Sequence, residues 1–310
     1  MATSFTHPMP AARTAARTSR ASLAIGGLGL VTSLFLVSRL IESWRIEPGS
    51  HRHTISFLGQ QLSYPTANAG AIAVLALAAI GLAVSLTALT AAARELVRSR
   101  LLVRALRSRT VGVLPDGTSV IDDPQVDAFC AGLVRPQVFI TTAALSRLDP
   151  AALAALLAHE RHHIRRRDPL RLAAGRVLAR SLFLVPWLRR LHEHHQFLAE
   201  LGADESAASH GAPALARAML AFDEHGVDPA RVDRLLADEP PAWRFPAALA
   251  LAAATPIALI AGTAVLATRF ASGTATLAPP FLSRQPCILM LAAVPTLATL
   301  VWLRLARMRT

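Results

Sequence analysis

From residue 69 to residue 93 the chain reads AGAIAVLALAAIGLAVSLTALTAAA, without one charged side chain. A helix needs about 20 apolar residues to cross the hydrocarbon core of a bilayer, so a run like this limits the fold more than any other feature. Three further segments are comparably apolar: ASLAIGGLGLVTSLFLVSRLI at 21–41, PAALALAAATPIALIAGTAVLAT at 246–268 and PCILMLAAVPTLATLVWL at 286–303, the last with Pro295 as a kink. Arg13, Arg17 and Arg20 before the first would also suit a signal peptide. Its apolar run is long for that role, and VSRLIESW offers no small-x-small cleavage site. The expectation is four transmembrane helices.

Arginine placement orients them. Arg13, Arg17 and Arg20 precede the first span, and Arg304, Arg307 and Arg309 follow the fourth. Arg94, Arg98, Arg100, Arg104, Arg107 and Arg109 follow the second, against Glu95 alone. The loop at 42–68 is balanced and the loop at 269–285 is poor in arginine. This predicts both termini and the large middle region on the cytoplasmic side of a bacterial-type inner or plasma membrane. It also accounts for the net charge of +12, because Thr110 to Arg244 is slightly acidic. The basic excess thus sits where anionic headgroups attract it, and no nucleic-acid-binding motif accompanies it. All 32 basic residues are arginine, which removes lysine chemistry: no Schiff base, no Walker lysine. Cys130 and Cys287 are too far apart to read as a metal pair or a disulfide framework and are expected to be small apolar fillers. A transporter finds little support, since Arg39 is the one ionisable residue in the spans.

Between Thr110 and Thr142 the pattern is of short strands: VGVL and SVID about a PDGT turn, then QVDAFCAGL and QVFITT. A helix starts at LDPAALAALLAHERHHIRRRD, with Asp149 as N-cap and Pro150 in the first position, and Asp168-Pro169 ends it and starts another. LRLAAGRVLARSLFLVPWLRRL is apolar but carries Arg171, Arg176 and Arg180, so it either packs inside the domain or lies along the bilayer surface. A further helix covers RRLHEHHQFLAELGADESAAS, and short helices follow from Pro213 and from Asp228-Pro229.

His159, Glu160 and His163 form H-E-x-x-H in the middle of the capped helix. Residues four apart share a face, so both imidazoles can converge on one zinc ion, with Glu160 beside them as general base toward a water held there. His162 reads as a neighbour on the helix edge. The third ligand is expected to be Glu200. Asp204, one helical turn on, would accept the Nδ1–H of a zinc histidine. The competing cluster HEHH, His192 to His195, has Gln196 where a closing histidine would stand and reads as surface or cleft-rim material.

At these residues the chain resembles the integral-membrane gluzincin metallopeptidases: the BlaR/MecR-type antirepressor family first, the HtpX and CAAX prenyl-protease family second. The stretch AFCAGLVRPQVFITTAALSRLDPAALAALLAHERHHIRRRDPL carries the likeness, which covers roughly 111–208. About forty residues between the two metal helices, with no full span there, favour the first family. Glu205 stands where the HtpX-like pattern has an arginine, which leaves the transition-state stabiliser open. Tyr64, the single tyrosine, is in an outside loop; His210, His195 or an arginine remain. The resemblance implies that QVFITT is the edge strand accepting an extended substrate; an interior strand fits the sequence equally well. No Ser-x-x-Lys is present, so β-lactam sensing by acylation is not expected.

The expectation is therefore a mainly α membrane protein with a cytoplasmic α+β gluzincin domain. Residues 1–20 would be a disordered tail, 21–93 two spans about an outside loop, 94–244 the zinc metallopeptidase domain, 245–303 two more spans, and 304–310 a tail. It would bind one Zn2+ per chain and cleave a cytoplasmic or membrane protein, a transcriptional repressor being one substrate, in signalling or regulation. The alternative is a non-proteolytic signalling scaffold that keeps a metal site.

Overall fold

A computed structural model describes residues 10–42, 52–57, 60–65, 69–221 and 245–274. The fourth expected span, the C-terminal tail and the helix expected at Asp228-Pro229 lie outside these residues. Among the described residues, two helices are long and apolar enough to cross a membrane: α1 (Pro10–Glu42) and α2 (Ala69–Ser108). The third expected span falls on a helix as well, α8 (Ala247–Thr274), whose apolar run at 247–263 is shorter and which carries Pro256 in its interior. The balanced loop holds an antiparallel hairpin, β1 (Arg52–Phe57) with β2 (Gln60–Pro65), which sequence reading left without structure.

The contacts divide the chain into two units. The first comprises the described residues up to 28 together with 87–221 and 245–256; the second takes 29–86 and the described residues from 257 on. In the second unit α1 and α2 approach closely. A Cβ added to Gly81 would come 2.6 Å from the carbonyl oxygen of Ser33, the small-residue contact that lets apolar helices touch backbone to backbone.

The first unit is built on a four-stranded sheet: β3 (Thr110–Val113), β4 (Ser119–Ile121), β5 (Ala128–Ala131) and β6 (Gln137–Thr141), in the order β3-β4-β6-β5. β4 and β6 run parallel and the other pairs antiparallel. QVFITT is thus an interior strand, and β5 and β3 are the edges of this sheet among the described residues. The β3–β4 turn is the expected one, with Gly117 at φ +87°. Val120, Ala128, Val138 and Ile140 pack toward the helical side with Leu156 and Leu157 of α4 (Pro150–Arg166). Ile121, Phe139 and Phe129 pack toward Val103 and Leu106 of α2, which explains why the arginine-rich stretch after Ala93 stays helical: one of its faces lies on the sheet.

α3 (Thr142–Arg147) leads into α4, whose N-cap Asp149 accepts from Ala152 N–H at 2.8 Å. α4 stops at Arg167, held in the left-handed region at φ 55°. α5 (Asp168–Ser181) follows at once, then α6 (Pro186–Ala208), which starts earlier than the sequence suggests because Pro186 suits a first turn, and α7 (Ala212–Leu220).

The expectation of disorder in residues 1–20 is corrected from Pro10 onward. Ala11 and Ala15 are buried with Leu198 and Leu201 of α6, and a Cβ on Gly202 would meet Ala12 at 3.0 Å. Arg166 donates to the Ala12 carbonyl at 2.8 Å. The small residues that look like low-information tail are the ones that let two helices approach this closely.

Candidate metal centre

His159 and His163 lie one turn apart on α4 and point the same way. Their Nε2 atoms are 3.2 Å apart. Glu200, on α6, brings Oε2 to 3.6 Å from His159 Nε2 and Oε1 to 3.6 Å from His163 Nε2. A tetrahedral cation bonded at about 2.0–2.1 Å separates its ligands by about 3.3 Å, so the two nitrogens and the Glu200 carboxylate are spaced to share such a shell. Among the described residues this is the group of His, Cys, Asp and Glu side chains close enough to hold an ion. The imidazoles are buried, while the Glu200 side chain is 34% exposed and faces the open cleft.

Each imidazole has a carboxylate behind it. His159 Nδ1 lies 3.0 Å from Asp204 Oδ1. His163 Nδ1 lies 2.9 Å from Asp168 Oδ2, a partner that sequence reading treated only as a helix boundary. Helical spacing does not signal this contact, because it is made across the break between two helices. A helix that ends in a left-handed residue turns back on itself, and Arg167 brings Asp168 under His163. A carboxylate within 3.0 Å of each Nδ1 favours the tautomer whose Nε2 lone pair is directed to the shared site.

Glu160 Oε1 is 4.0 Å from His159 Nε2. Burial raises its carboxyl above the ordinary range, against the pull of His159, His163 and the backbone N–H of Cys130. Burial works against a charge on His159, but Asp204, Glu200 and Glu160 outweigh it and lift the imidazole to about 9. Four carboxylates around two buried imidazoles make a strongly negative site, which suits a divalent cation.

The centre opens into a cleft of about 620 Å³. Phe129, Cys130 and Ala131 of edge strand β5 form one wall, and Leu172 and Arg176 of α5 with Arg98 of α2 form another. Cys130 is therefore half-buried beside the centre rather than a plain core filler, its thiol pushed up to about 12 by burial and the nearby carboxylates. Arg176 is held by Glu95 through contacts of 2.9 and 3.2 Å.

The structure does not bring His195 or His210 to the cleft. His195 is buried at the α5–α6 contact, and His210 is exposed past the end of α6, beside Ser209. The two arginines on the cleft wall take their place as stabiliser candidates. The HEHH cluster is also corrected: His192 and His195 are buried, not surface groups, because they sit on the face of α6 turned toward α5. A Cβ on Gly175 would come 2.4 Å from His192 Nδ1. His162 is buried beside the centre without joining it, and burial lowers its pKa to about 4.

The chain is similar to the Protease HtpX homolog of Acidiphilium cryptum (strain JF-5), 39% identical over 77 residues. These are 24% of this chain, and they span about a quarter (26%) of that relative's length. No solved structure matches. The family model described as Peptidase family M48 matches residues 93–222, the stretch that holds the whole four-stranded sheet, both metal-site helices and every residue of the cleft.

Proposed function

We propose that the chain is a membrane-bound zinc metalloendopeptidase. The observation that carries this reading is the convergence of His159 Nε2 and His163 Nε2, 3.2 Å apart, on the Glu200 carboxylate, whose two oxygens lie 3.6 Å from one ring each, with a buried carboxylate at its side. A bound cation supplies Lewis acidity, which polarises a carbonyl and acidifies a water. Glu160 accepts the proton on its carboxylate and returns it to the leaving amine, and its burial favours a group that can do both. Asp204 and Asp168 hold the two rings in one tautomer and orientation. Arg176, itself fixed by Glu95, and Arg98 supply positive charge on the cleft wall where the reacting carbonyl develops its own negative charge.

The substrate would lie extended along β5, pairing with the backbone of 128–131, since β5 is the free edge beside the centre. Residues 21–41 and 69–93 are read as spans with the catalytic unit on the cytoplasmic face, by the arginine asymmetry. The finer relationship to BlaR/MecR-type antirepressor peptidases, and a repressor as substrate, rest on the short separation of the two metal helices. An open side to the coordination shell together with Glu160 favours catalysis over a scaffold that keeps a structural ion.

The test is zinc content and cleavage of unfolded casein by the purified chain. One zinc per chain is expected, with both zinc and cleavage lost in Glu200→Ala. Full zinc occupancy in that variant would contradict the ligand set.

A further inference from the structure

The turn between α5 and α6 leaves large apolar side chains in the open. Phe183 is 48% exposed, Leu184 50% and Trp187 40%. They do not belong to a loose loop. Leu182 and Val185 on either side are buried, and Val185 N–H donates to the Leu182 carbonyl at 2.8 Å. The turn is anchored inward by two residues and presents the other three outward. Around them stand Arg180, Arg189 and Arg190, with the Arg190 guanidinium 4.9 Å from the centroid of the Trp187 ring.

Two contacts fix the level of this turn along the expected spans. Leu178, one helical turn before it, fills the space at Gly26 of α1, where a Cβ would come 2.6 Å from Leu178 Cδ1. Gly26 is six residues beyond Arg20, roughly 9 Å at 1.5 Å per residue, which is about the depth of a headgroup layer. Arg180 reaches Glu95 at 3.3 Å, and Glu95 lies two residues past the apolar run of α2. Both helices therefore place the end of α5 at the boundary between water and hydrocarbon.

We propose that the α5–α6 turn is a membrane-inserted anchor, with Phe183 and Leu184 below the headgroups, Trp187 at their level, and Arg189 and Arg190 on anionic lipid phosphates. This rests on the reading of 21–41 and 69–93 as spans. An aromatic at the interface with a basic collar is the arrangement that lipid favours. A second copy of the chain fits the patch less well, since the collars would repel one another. The consequence is functional. The segment joining the two metal-bearing helices is tied to the bilayer, so Glu200 and the H-E-x-x-H helix are held at a set height above the membrane.

The test uses single-cysteine variants in a C130A/C287A background, spin-labelled and reconstituted in phosphatidylcholine–phosphatidylglycerol vesicles. L184C and F183C are compared with L220C, an exposed site on α7, and with L86C in α2. Relaxation by a water-soluble nickel chelate is expected to fall about tenfold at 184 and 183 relative to 220, while relaxation by oxygen rises. If 86 is lipid-immersed but 184 and 183 are as open to nickel as 220, the anchor is wrong and the spans stand. If 86 is open as well, the span reading itself fails. Dipolar broadening between labels at 184 would show a second copy on the patch and overturn the lipid assignment. Two adjacent label sites keep the outcome readable if one substitution disturbs the turn.

Discussion

Asp168 does two jobs with one side chain. It opens α5, and it holds His163 from behind at 2.9 Å. Replacing it with Asn leaves the helix start in place but weakens the ring's orientation and basicity. Asp168→Asn is expected to lower zinc affinity about 10–100-fold, as such partners do elsewhere, read by competition with a chromogenic chelator. Unchanged affinity would mean that the contact is incidental. His195 tests a different residue-scale claim. Burial pulls its pKa from the ordinary 6.5 to about 4, so the folded protein resists protonating it while the unfolded chain does not. The depressed pKa contributes stability that is present above pH 6.5 and lost as the pH falls toward 4. At pH 5 the parent should have lost about 2 kcal/mol more than His195→Leu, measured as urea midpoints at pH 7 and pH 5. Equal losses in both would sink this assignment. The convergence of His159, His163 and Glu200 was readable in part, because residues four apart share a helix face and each helix offers one such pair, His159 with His163 and Glu200 with Asp204. Asp168 and the cleft arginines were not, because their placement depends on a chain reversal at Arg167 and on the meeting of α2 with α5.

At the scale of elements, α5 and α6 pack closely where Gly175 makes room for His192. Gly175→Ala would normally favour a helix, yet its Cβ would come 2.4 Å from the ring nitrogen. The clash is expected to win, costing about 1–3 kcal/mol and several degrees of melting temperature. A stabilised variant would show that the ring yields freely. Element positions along the chain were readable from caps and turns: Asp149-Pro150, the PDGT hairpin and Asp168-Pro169 all fall at boundaries. Strand order was not. Nothing local distinguishes β5 from β6 as the edge, since the order β3-β4-β6-β5 is decided by how the sheet sits between α2 and α4. The helix at 10–20 was missed for the same reason. The stretch lacks any large apolar side chain to mark a buried face, and the surface of α6 gives its alanines something to bury against.

For the whole molecule, the arginine asymmetry predicts that the sheet and its helices stay on the cytoplasmic face. A fluorescent protein joined after Ser108 in a bacterial host should therefore glow, while alkaline phosphatase joined there should be inactive. The reverse pattern would invert the topology. The central claim is that this arrangement carries a working general base next to a bound ion, and Glu160→Gln addresses it most directly. The variant should keep one zinc per chain, because the Gln side chain fills the same space and His159, His163 and Glu200 are untouched. Casein cleavage should drop about 10²–10⁴-fold, the contribution expected of a positioned proton acceptor. Cleavage at the parental rate by a zinc-loaded Glu160→Gln enzyme would contradict the account.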